Sequence, residues 1–105
     1  MHIEISTDRN ITGSEGLTTH IKELVQHALI HLSDQITRAE VHLSDGNARK
    51  TGQDDKRCMI EARLERQQPT AVTHGAATME QAVKGAADKL KRSLESNLGR
   101  LNDGH

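Results

Sequence analysis

Between residues 84 and 92 the chain places four cations, Lys84, Lys89, Lys91 and Arg92, within "KGAADKLKR", and Arg100 follows in "SNLGR". Ammonium and guanidinium groups at this density suit a phosphate backbone, because each neutralised phosphate releases condensed counterions. Glu80, Asp88 and Glu95 interleave with them, so residues 77–101 hold five cations against three anions. Two chemistries fit that pattern. One is a phosphate-gripping surface. The other is a solvated face whose helical ion pairs contribute about 0.2–0.5 kcal/mol each.

Two further sets invite chemistry. His20, His27 and His31 stand at i, i+7 and i+11 along an apolar-patterned stretch. An HxxxH pair one helical turn apart can converge on zinc, but a full site needs a third or fourth ligand, and the sequence offers no defined one. The competing reading is amphipathic side chains that border a core or meet phosphate when protonated. Cys58 is the single cysteine. It alternates in phase with Ile60 and Ala62, as a small buried hydrophobe does; Lys56 and Arg57 would activate it only if it were exposed. No phosphate-cradling glycine loop, paired-carboxylate spacing or nucleophile motif is present, so no catalytic role and no cofactor are expected.

These residues need elements to position them. "HIEIST" (2–7) alternates as a half-buried strand, with Ile3 and Ile5 on one face. Turn-rich "DRNITGSEG" follows, where Ser14 is placed to cap a helix. Leu17, Ile21, Leu24, Val25, Ala28, Leu29 and Leu32 then predict an amphipathic helix over about 15–33. In "ITRAEVHLS" (36–44), Ile36, Ala39, Val41 and Leu43 read as inward. Polar "DGNARKTGQDD" reads as a mobile loop. "KRCMIEARLERQ" (56–67) turns Cys58, Ile60, Ala62 and Leu64 to one face and Arg57, Met59, Glu61, Arg63 and Glu65 to the other. A turn at the only proline leads to a strand in "TAVTHGA" (70–76). Thr78 opens a long helix, with Met79, Val83, Ala86, Leu90, Leu94, Leu98 and Leu101 along one side.

The order is β-α-β-β-β-α, an α+β, two-layer domain over residues 1–105 with a frayed tail at 102–105. Its four-stranded sheet should carry both helices on one face, in the manner of a double-stranded-RNA-binding domain. The other face then meets solvent or a partner, and its mixed signs also suit a homodimer.

Composition narrows function. There is no Phe, Tyr or Trp. Single-strand binders usually stack bases on these rings, so a sheet-face RNA-recognition motif is excluded, whereas shape-and-phosphate binding to folded nucleic acid remains open. Fourteen Lys and Arg against fifteen Asp and Glu give a net charge of −1, so any nucleic-acid role requires segregated cations. The lone cysteine permits no internal disulfide, and no window suits a signal peptide or membrane span. The cytoplasm is expected.

Three segments together resemble one family: the first strand with "RNIT" and its amphipathic helix, "ITRAEVHLSD", and "AATMEQAVKGAADKLKRSL". The chain resembles the ribosome hibernation promoting factor and ribosome-associated inhibitor family, also described as the S30AE or sigma-54 modulation family, in a short form. Asp88, Lys89, Leu90 and Arg92 match its D-K-L-x-R. The resemblance implies a stress or hibernation factor that binds the small ribosomal subunit through 16S rRNA phosphates and inhibits translation. It implies RNA contacts at Lys22, Lys84, Lys89, Lys91, Arg92 and Arg100, with His20, His27 and His31 as pH-tuned neighbours. The departures are the loss of further lysines after that motif, where Ser96 and Leu98 stand, Leu24 and His27 at positions that are often basic, and Met79 in place of an aromatic. The alternative is a fold relative that has lost ribosome binding and acts as a stress-related protein-interaction module or homodimer.

Overall fold

Alternation at residues 2–7 produces the first strand, β1 (His2–Thr7), with Ile3 buried beneath exposed His2 and Glu4. In a computed structural model of the protein, residues 1–7, 15–45 and 56–103 are described, with side chains to residue 97. The expected Ser14 cap and most of the 45–55 loop therefore lie outside the described residues. The element order is β1, α1 (Glu15–Ala28), a 3-10 turn (Ile30–Leu32), β2 (Ile36–Asp45), β3 (Lys56–Leu64), β4 (Thr70–Ala76) and α2 (Met79–Asp103). This is the expected β-α-β-β-β-α architecture.

The sheet runs β1-β2-β3-β4, parallel between β1 and β2 and antiparallel thereafter. A helical crossover is what a parallel neighbour requires, and α1 supplies it. Every buried residue among those described is apolar. Ile3, Val41, Ile60 and Leu64 line the inner face of the sheet, and Ile21, Val25, Val83, Ala86, Leu90 and Leu94 cover it from the helices. α2 packs on β3, β4 and α1. With no rings available, the core closes through small residues: Ala82, Ala86 and Ala87 let α2 approach the sheet backbone closely.

Three local features differ from the sequence expectation. The first helix does not continue to 33. Leu29 leaves the helical region at φ −105°, ψ 14°, and the chain tightens into a 3-10 turn. The tightening drops both Leu29 and Leu32 into the core, and Ser33 Oγ donates to the Ile30 carbonyl. In β2 the register shifts between Ile36 and Arg38. That irregularity explains how Ile36 and Ala39, three residues apart, both point inward. β3 ends at Leu64 rather than continuing to Gln67, because Arg66 adopts φ 64° and the Gln67 amide bonds the Leu64 carbonyl. Glu65 therefore begins a turn instead of extending the outer face.

Candidate functional site

The exposed side of α2 carries its cations interleaved with Glu80, Asp88 and Glu95. Thr78 caps the helix, its hydroxyl accepting from the Gln81 amide at 3.1 Å, which fixes where it begins. From that start, 3.6-residue periodicity buries Ala82, Val83, Ala86, Leu90 and Leu94 and leaves Lys84, Asp88, Lys89 and Arg92 exposed.

The expected contact residues differ in setting. Lys84 Nζ lies 3.0 Å from Glu80, and Arg92 lies 3.0 Å from Asp88; both are i,i+4 pairs. Lys84 holds the Glu80 carboxyl below its ordinary range, helped by His20. Such exposed pairs are weakly held and exchange readily for a phosphate. Lys89 behaves differently. Its ammonium reaches the edge strand and donates to the Thr73 carbonyl at 3.1 Å. Lys91 is half-buried at the margin of the helix face. Lys22 is exposed on α1. Arg100 lies on the last turns of α2, its side chain outside the described residues.

The histidines separate. His20 is exposed on α1, 3.7 Å from Glu80 at the start of α2. His27 is exposed one residue before α1 ends, and His31 lies in the 3-10 turn, so this pair does not share one α-helical turn. Among the described residues no three His, Cys, Asp or Glu side chains group as metal ligands. No described helix is long and apolar enough to cross a membrane.

The sheet's outer face carries a second charged cluster that sequence reading placed but did not organise. Arg38 bonds Glu4 at 2.6 Å and Glu40 at 2.9 Å. A hydrogen bond from His2, joined by Arg38, holds the Glu4 carboxyl below its usual range. Arg38, Glu40, Glu61 and Arg63 line a shallow depression of about 230 Å³. Strand register brings these four together, and register is set by partners that one strand's sequence does not name.

Residues 3–102 match the sequence profile of the family described as sigma 54 modulation protein / S30EA ribosomal protein. Among solved structures, the chain is similar to the Protein Y N-terminal domain of Thermus thermophilus, with a TM-score of 0.72 at 19% identity over 91% of this chain and 98% of that one. It is similar also to a ribosomal subunit interface protein from Coxiella burnetii, with a TM-score of 0.69 at 18% identity over 94% and 99%. At those identities the likeness is one of fold. No curated protein sequence matches the chain significantly.

Proposed function

From the premise that this chain belongs to the sigma 54 modulation protein / S30EA ribosomal protein family, we propose that it is a ribosome-associated hibernation factor of the cytoplasm. It binds the small ribosomal subunit through the helical layer and holds back translation under stress. It acts as a binding protein, by occupancy and without catalysis. The observation that carries this reading is the exposed row Lys84, Lys89 and Arg92 on α2, opposite a buried alanine-rich side. Lys22 adds an exposed cation on α1, Lys91 a half-buried one on α2, and Arg100 follows on the last turns of α2. 16S rRNA phosphates would replace Glu80 and Asp88 as partners of Lys84 and Arg92. His20, His27 and His31 are the exposed neighbours of the contact.

Four exposed cations at phosphates give a slope of log affinity on log salt of about −3 to −4. Co-sedimentation of the purified protein with 30S and 70S particles, at salt from about 50 to 300 mM, tests this. Co-migration that is lost steeply with salt, and abolished by Lys89→Glu with Arg92→Glu at unchanged helical content, is the expected outcome. No co-migration at the lowest salt overturns the reading and favours a fold relative that works through protein partners.

A further inference from the structure

The outer face of the sheet is ruled into rows of one sign. Register sets His2 beside Arg38 and Arg38 opposite Arg63, while the next outward row sets Glu4 beside Glu40 and Glu40 opposite Glu61. Like charges directly across a strand pair repel. Arg38 relieves part of this by reaching from its own row to Glu4 and Glu40. Among the described residues, the Arg63 and Glu61 side chains have no ion-pair partner, although they flank the same shallow depression. A chain optimised for itself alone would alternate signs within each row.

We propose that this face docks on a second copy of the same chain, related by a two-fold axis that lies between the sheets, perpendicular to the strands and midway between the two rows. That operation lays the basic row of each copy over the acidic row of the other. Arg63 of one copy meets Glu61 of the other, and the reverse contact follows from symmetry, as an isologous interface requires. Arg38 faces Glu40 and His2 faces Glu4 in the same way. The other two-fold axis, parallel to the strands, would set each row on itself and is disfavoured.

Four strands about 4.8 Å apart and roughly seven residues long cover about 450 Å² per copy, which places the dimer in the small, transient class of interfaces. Both helices remain on the far side of each sheet, so the dimer does not depend on the proposed ribosome binding.

Sedimentation equilibrium with interference optics, at about 0.05–1 mM protein and low salt, tests this over the range expected of a small interface. The parent chain should associate reversibly and lose association as salt rises. Arg63→Glu and Glu61→Arg should each weaken self-association at least tenfold with unchanged circular dichroism, because each sets like charges against each other twice. An equimolar mixture of those two variants should recover a dimer, since 63 and 61 then oppose with opposite signs at both contacts. Arg92→Glu, on the helical side, should dimerise as the parent does. A parent that is monomeric at 1 mM overturns the proposal. So do single variants that associate unchanged, and so does a mixture no more associated than its components.

Discussion

The Cys58 thiol lies wholly buried on the inner face of β3, and burial pushes its pKa up from 9.0 to about 12. A neutral, enclosed thiol is neither nucleophile nor ligand. Disulfide reagents should modify it only on the timescale of unfolding, and fast labelling of the native protein would contradict that. The shift also fixes a pH dependence. Because the folded value is raised, the native state is favoured fully below about pH 9. Above that only the unfolded chain loses the proton, so stability falls by about 1.4 kcal/mol per pH unit toward pH 12. Urea unfolding of the parent and of Cys58→Ala at pH 8 and 10 isolates the slope, which should be present in the parent alone. This residue was fully legible in the sequence: its phase with Ile60 and Ala62 already assigned it to the core. The left-handed Arg66, by contrast, carries no signal, since Asn or Gly ordinarily marks such a position.

At the scale of elements, the approach of α2 to β4 depends on one glycine. A Cβ on Gly85 would fall 2.1 Å from His74 Cδ2 and 2.6 Å from its Cγ, so the whole ring, not only its tip, stands in the way. Gly85→Ala gains up to about 1 kcal/mol of helix propensity and incurs overpacking of about 1–3 kcal/mol. A net loss of up to about 2 kcal/mol is expected by chemical denaturation. Adding His74→Ala should recover most of it, a non-additivity that identifies the contact; a stabilised Gly85→Ala would sink the account. Element order was readable because two-residue and 3.6-residue periods are local properties. Thr78 was readable as a cap for the same reason. The features that were not readable are those set by packing: the 3-10 turn that buries Leu29 and Leu32 together, the irregularity at Ile36 and Arg38, and the turn that ends β3. Each arises where a residue's place in the core outweighs its local preference.

The whole molecule, 51 × 26 × 19 Å across its principal axes, has two exposed sides of different character. The helical side exposes cations and anions together, and that mixture was legible in the sequence. The rows on the sheet side exist only once β1, β2 and β3 are set in register, so single-strand alternation showed mixed signs and no order. Lys89 joins the two sides. Lys89 belongs to α2, the helix proposed to meet phosphate, and its ammonium is bonded to a main-chain carbonyl of the sheet's last strand. Lysines over edge strands discourage pairing with other chains. Lys89→Gln should therefore weaken 30S co-sedimentation and also speed aggregation on prolonged incubation, with the thermal midpoint nearly unchanged because the residue is exposed. Light scattering beside the binding assay reads both; unaltered aggregation would remove the edge role. The Lys89 ammonium has three N–H donors, so it can hold the Thr73 carbonyl and a phosphate oxygen together. On the proposed reading, a phosphate bound at Lys89 would pin the same ammonium that guards the strand edge, so occupancy of the helical side would tighten that guard against an added β-strand.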